Sequence, residues 1–93
     1  MKQVILDGKL FTDKKTTHAI LKEQLELPDY YGDNLDALWD CLTTDFTDRI
    51  IIIQHSLLIH QQLDRYGRNL INLFRRVHKA NPHQKIVFHY TFK

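Results

Sequence analysis

The sequence predicts an α/β domain in which a small three-stranded parallel sheet packs with about four helices. Three observations carry this. Along the 93-residue chain the apolar residues switch between short β-rich runs and helical spacing. Ile50–Ile53 is an uninterrupted β-branched run, the pattern of a strand buried on both faces of a parallel sheet. The predicted strands are separated by helices, which favours parallel pairing through right-handed crossovers.

Val4-Ile5-Leu6 followed by Asp7–Gly8 reads as a short strand and a turn. From Lys14 to about Glu26, Ile20, Leu21 and Leu25 recur at helical spacing, behind a cap near Thr12 or Asp13. Pro28 fixes its own φ and pushes Leu27 towards an extended conformation, so that helix stops there. Gly32 offers the positive φ that a tight turn often demands. Asn34 is a good N-cap, and Asp36 suits the helix dipole in the first turn of a helix expected over Leu35–Thr43. Leu35, Leu38, Trp39 and Leu42 fall on its core side. After the Ile50–Ile53 strand, Ser56 to about Tyr66 reads as a short helix ending at Gly67. Leu70, Leu73, Phe74 and Val77 mark a stronger helix that stops before Asn81–Pro82. Lys85–Phe92 has the β-formers of a terminal strand. No linker, repeat or low-complexity tract interrupts the chain, so residues 1–93 are expected to form one domain.

With 43% apolar and 26% charged residues, the chain has the composition of a folded domain and the length to bury a core without metal or disulfide. Cys41 is the single cysteine, which excludes an internal disulfide, fits a reducing cytoplasm, and predicts a small buried apolar side chain. The amino terminus soon meets Asp7–Gly8, so no signal peptide is expected. No apolar run approaches the ~20 residues that span a bilayer.

Charge is distributed unevenly. Glu23, Glu26, Asp29, Asp33, Asp36, Asp40, Asp45 and Asp48 lie in a segment with no Lys or Arg, and the rest of the chain holds all thirteen Lys and Arg against three acids. A net charge of +2 thus conceals −8 in one segment and +10 elsewhere. Asp36 and Asp40 share a helix face, where like charges four apart oppose helix formation by roughly 0.2–0.5 kcal/mol. Tyr30–Tyr31 in the adjoining turn and Trp39 beside the acidic face add the composition of a protein-binding hot spot. Such an anionic face suits a cationic partner, because complementary potential steers encounter.

Other chemistries fit less well. Glycosidase carboxylates flank a cleft, whereas an i,i+4 pair lies side by side on a convex helix. Asp29–Asp40 spans the length of an EF-hand loop but has Tyr31 at the third position and Asn34 at the sixth, where a ligand and Gly belong. The six histidines lack metal-ligand spacing, Cys41 lacks the signature of a nucleophile, and three dispersed glycines build no phosphate-cradling loop. No catalytic residue, metal or cofactor is expected.

The stretch Leu27–Pro28, Tyr30–Tyr31–Gly32 and Asn34–Leu35–Asp36–Ala37–Leu38–Trp39–Asp40–Cys41–Leu42 closely resembles the barstar family of ribonuclease inhibitors. Weaker similarity covers almost the whole chain, including Asp7–Gly8 and Leu73–Phe74–Arg75. The resemblance implies a barstar-like α/β fold and a bacterial, cytoplasmic, non-enzymatic inhibitor, an antitoxin-like immunity protein. Its partner would be a basic, secreted, barnase-like guanyl-specific ribonuclease or a related ribonuclease toxin, bound by a monomer in a 1:1 complex with no membrane involved. Carried over residue by residue, Asp40 would occupy the enzyme's phosphate pocket and Asp36 would pair with another cationic group. Tyr30 would pack on the catalytic histidine, Gly32 and Asn34 would present backbone and amide contacts, and Leu35 and Trp39 would supply apolar contact. Thr43 and Thr44 would complete the binding surface.

Three features depart from the family pattern. A Gly-Trp pair after the helix is replaced by Thr44–Asp45–Phe46, a Glu late in the last helix by Arg76, and an acidic overall charge by a pI of about 8.8. The alternative function uses the opposite charge: Arg65, Arg68, Arg75, Arg76, Lys79 and Lys85 would form a basic face for nucleic acid. No nucleic-acid motif accompanies them, so this is the weaker expectation.

Overall fold

The computed structural model describes residues 1–89. β1 (Lys2–Asp7) leads through a 3-10 turn (Gly8–Leu10) to α1 (Lys14–Gln24) and α2 (Leu35–Thr44); β2 (Arg49–Gln54), α3 (Ser56–Ala80) and β3 (Gln84–His89) follow. The sheet is parallel, in the order β1-β2-β3, with Val4 opposite Ile51 and Ile51 opposite Ile86. The expected extension of β3 to Phe92 lies outside the described residues.

The Ile50–Ile53 run does form the central strand, but it is not buried on both faces. Ile51 and Ile53 are buried and Ile50 and Ile52 only half-buried. Strand order supplies the reason. In a 1-2-3 order both crossovers step in the same direction, and right-handed crossovers then place their helices on one side of the sheet. Val4, Leu6, Ile51, Ile53 and Ile86 face that helical layer, while Ile5 (48% exposed) and Val87 (40%) sit on the open face. Leu21, Leu38, Leu42, Ile59, Leu70 and Phe74 close the core from the helices.

Among the described residues the α-helices number three, against an expectation of about four, the third being two helical segments joined across a break. The region read as two helices is α3, interrupted at Asp64, where φ is 54° and ψ is −129°. Gly67 does not end a helix. It lies beyond the break, and a Cβ there would stand 2.3 Å from the carbonyl oxygen of Ile59. Residues eight apart in a straight helix are separated by about 12 Å, so the chain folds back at Asp64 and Gly67 permits the close approach.

α1 begins as expected. The Asp13 carboxylate accepts from the Thr16 N–H at 2.7 Å, and this bond holds its pKa below the usual value. α1 ends one turn before Pro28, with Glu26 at φ 53°. The Leu27 N–H donates to the Lys22 carbonyl (2.9 Å) and the Glu26 N–H to the Glu23 carbonyl (3.3 Å), the paired bonds of a Schellman cap.

Candidate functional site

The acidic segment folds as a turn followed by α2. The Tyr31 N–H donates to the Pro28 carbonyl at 2.9 Å, closing the turn that Pro28 begins. The positive φ falls on Asp33 (52°) and not on Gly32, a correction to the sequence reading. Gly32 is exposed, with its carbonyl accepting from the Asn34 amide at 3.0 Å, and Asp tolerates the left-handed region better than most residues. Asn34 caps α2 as expected, its side-chain oxygen accepting from the Ala37 N–H at 2.8 Å.

The tyrosine pair is divided. Tyr30 is 86% exposed, whereas Tyr31 is buried and its hydroxyl lies 2.6 Å from Nδ1 of His18. Nε2 of His18 contacts the hydroxyl of Tyr66 on α3. His18 is 2% exposed; burial lowers its pKa, with the Asp33 carboxylate acting in the opposite sense. The aromatic expected to bind is therefore presented on a turn whose next residue is anchored in the core. Burial likewise drives the Tyr31 hydroxyl well above the ordinary phenol range.

α2 is held at both ends. Leu38 and Leu42 are buried beneath it. Past its last turn the Asn81 amide donates to the carbonyls of Leu42 (2.8 Å) and Asp45 (2.9 Å), and the Gln84 amide to those of Asp45 (3.0 Å) and Thr47 (2.9 Å). Buried Arg49 reaches the Asp45 carboxylate at 2.8 Å and the Leu25 carbonyl at 3.3 Å. These bonds satisfy carbonyls that a helix end leaves open. Burial works to raise the Asp45 pKa, but the Thr47 N–H and Arg49 outweigh it and hold the carboxyl low.

Folding also sorts the eight acids. Glu26 pairs with Lys2 and Asp45 with Arg49, and the Asp48 carboxylate hydrogen-bonds the His83 ring, an ion pair only when that ring is protonated; all three partners lie outside the acidic segment. Among the described residues, Glu23, Asp29, Asp33, Asp36 and Asp40 have no ion pair and all five are exposed, Glu23 on α1 and the four aspartates on the turn and α2. Four of the segment's carboxylates without an ion pair are thereby gathered on one short surface.

α2 forms a ridge between two hollows. One, of about 600 Å³, lies against α3 and is lined by Leu35, Asp36, Trp39, Asn69, Asn72 and Arg76, among others. The other includes Tyr30, Asp40, Cys41, Thr44, Asp45 and Phe46. Asp36 and Asp40 thus border different hollows, and the arrangement displays both carboxylates outwards on the ridge. Leu35 and Trp39 are half-buried, and the guanidinium of Arg76 lies 4.9 Å from the centroid of the Trp39 ring. The hydroxyls of Thr43 and Thr44 donate back to the carbonyls of Trp39 (2.7 Å) and Asp40 (2.7 Å). Cys41 is half-buried, not fully buried as expected, and burial together with Asp40 and Asp45 raises its thiol pKa.

Sequence reasoning missed Phe46, 72% exposed at the edge of the second hollow with its ring edge-on to His83. A large apolar side chain between Asp45 and Asp48 is the signal that could have marked it. It also missed the buried supports His18, Arg49, Asn81 and Gln84, whose role depends largely on contacts distant in sequence, up to 48 residues apart. Among the described residues no group of three or more His, Cys, Asp or Glu could hold a metal ion.

A family model described as "Barstar (barnase inhibitor)" matches residues 1–93. The "Putative ribonuclease inhibitor YrdF" of Bacillus subtilis (strain 168) is 56% identical over 43 residues, which are 46% of this chain and 47% of that protein. The matched stretch thus spans about half the length of that relative.

Proposed function

Because the chain belongs to the barstar family, we propose that it is an intracellular inhibitor of a barnase-type, guanyl-specific ribonuclease or a related ribonuclease toxin, and that it seats the acidic turn and α2 in the enzyme's active site. The observation that carries this reading is the set of four exposed carboxylates without ion pairs, Asp29, Asp33, Asp36 and Asp40, gathered on the turn and α2, while Glu26 and Asp45 nearby are paired with Lys2 and Arg49. A ribonuclease active site holds a phosphodiester and must present cations. Asp40 and Asp36 stand in for phosphate charge there, because carboxylate–guanidinium contacts are charge-assisted and potentially bidentate. Tyr30 supplies an exposed aromatic anchor, with Gly32, Asn34, Leu35, Trp39, Thr43 and Thr44 around it. Inhibition is by occlusion, and no bond is made or broken.

Preorganisation supports the same reading. The Asn34 cap, the Asn81–Gln84–Arg49 clamp and the Tyr31–His18–Tyr66 contact fix the turn and ridge before any partner arrives, which reduces the ordering cost of association. No helix among the described residues is long and apolar enough to cross a membrane, and the lone Cys41 suits a reducing compartment. Titration calorimetry against barnase tests the reading: a saturable 1:1 complex that abolishes RNA cleavage is expected, and uninhibited cleavage at saturating protein would contradict it.

A further inference from the structure

Residues 65–93 contain seven Lys and Arg and no Asp or Glu. Five of the cations, Arg65, Arg68, Arg75, Arg76 and Lys79, are exposed on α3 beyond its break. At 100° per residue they fall within a sector of about 100°, opposite the buried Leu70, Phe74 and Val77. Asn72 is exposed within the same sector and Asn69 about 20° beyond its edge. From Arg65 to Lys79 the ridge is about 21 Å long at helical rise. Like charges three and four apart oppose helix formation, and exposed helix faces ordinarily mix signs. This one does not.

We propose that this face of α3 binds single-stranded RNA, with Arg65, Arg68, Arg75 and Lys79 on backbone phosphates and Asn69 and Asn72 directed at ribose 2′-hydroxyls. Four of the five cations are guanidinium groups, whose planar fork matches phosphate. Two are already placed by aromatic rings: Arg76 over Trp39 at 4.9 Å and Arg75 over Phe88 at 5.3 Å. At Arg76, stacking uses the face of the guanidinium and leaves the donors along its edge. A hollow lined by Ser56, His60, Arg68, Ile71, Asn72 and Arg75 lies along the ridge, away from Asp36. An acidic protein would also answer the charge; the asparagines among the cations favour a ligand that offers hydroxyls between its anions. Asn69, Asn72, Arg75 and Arg76 also line the hollow that Asp36 and Trp39 border, whereas Arg65, Arg68 and Lys79 lie outside it; the test therefore falls on Arg68 and Lys79, and the proposal does not rest on ribonuclease inhibition.

Fluorescence anisotropy with a labelled 12-nucleotide oligouridylate tests it. Four phosphate contacts to a single strand predict an affinity that falls about 50-fold between 50 and 200 mM salt. Arg68→Glu with Lys79→Glu should weaken binding more than tenfold and roughly halve the salt slope. Arg68→Gln with Lys79→Gln serves in its place if the reversed pair fails to fold. Oligothymidylate should bind more weakly, and polyaspartate should not displace the RNA. Absence of binding at 50 mM salt, affinity independent of salt, or indifference to both double variants would overturn the proposal. So would equal affinity for oligothymidylate, or displacement by polyaspartate, which would assign the face to acidic proteins.

Discussion

The guanidinium of Arg76 lies over the indole of Trp39, joining the second half of α3 to the acidic ridge of α2. This contact supports one wall of the hollow that Asp36 borders. It also places a cation where the family pattern carries Glu, so the same residue shapes both the packing and the rim of that hollow.

Arg76→Ala should therefore lower stability by about 0.5–1 kcal/mol, the scale of an exposed cation–π contact. Arg76→Glu should lose that amount too, while tightening binding to a barnase-type enzyme by roughly 0.2–1 kcal/mol through reversal of a rim charge. Chemical denaturation and calorimetry on the same two variants separate the effects. If Arg76→Glu weakens the complex, Arg76 makes a favourable contact with the enzyme.

Stability should fall as the solution is acidified through the histidine range. Burial lowers the pKa of His18, so the unfolded chain binds a proton more readily than the folded one. The contribution is fully present above the unfolded value of about 6.5 and is lost as pH falls towards the folded value. Denaturation midpoints measured from pH 7.5 to 5 should decline, and His18→Gln should flatten that decline. An equal slope in the variant would locate the titration elsewhere.

Two substitutions in α3 should act against helix propensity. Gly67→Ala, ordinarily stabilising within a helix, should cost about 1–3 kcal/mol, because its Cβ would meet the Ile59 carbonyl. Asp64→Gly should gain about 1 kcal/mol by relieving a conformation that suits glycine. Thermal unfolding that moves in the opposite direction for either variant would mean that α3 does not fold back at Asp64.

Association should be steered by the acidic surface although the whole chain is weakly positive. The on-rate for a basic ribonuclease should fall as the Debye length shrinks from ~10 Å at 0.1 M salt to ~3 Å at 1 M. Stopped-flow rates that stay flat would show the basic remainder cancelling the steering.

Much of this was legible in the sequence. The Asp13 and Asn34 caps, the α2 ridge and the parallel strands follow from local chemistry and periodicity, which act within a few residues. The misreadings share a different cause. Ile50–Ile53 gives the same pattern whether one face or two is covered, and strand order decides between them. Gly32 and Gly67 advertise conformational freedom, yet Asp33 and Asp64 adopt the positive φ, while Gly67 supplies space. Tyr30 and Tyr31 are indistinguishable by type, and only the contact with His18 separates anchor from exposed aromatic. Nor does charge counting distinguish Asp48 from Asp40, because the His83 that pairs with Asp48 lies 35 residues away.

That distinction gives the most direct test of the central claim. Asp40 is exposed without an ion pair, and Asp48 is exposed but paired with His83 at 2.7 Å. Calorimetric titration of barnase with Asp40→Ala and with Asp48→Ala compares two single carboxylate deletions of equal formal charge. Asp40→Ala should weaken binding by roughly 2–5 kcal/mol, a range carried over from truncated charge pairs, including those of this family's own inhibitor–enzyme complex, and no product of the present geometry. Asp48→Ala should change it by less than about 0.5 kcal/mol. Equal losses for the two would reduce the effect to net charge, and an unchanged affinity for Asp40→Ala would remove the phosphate-mimic role.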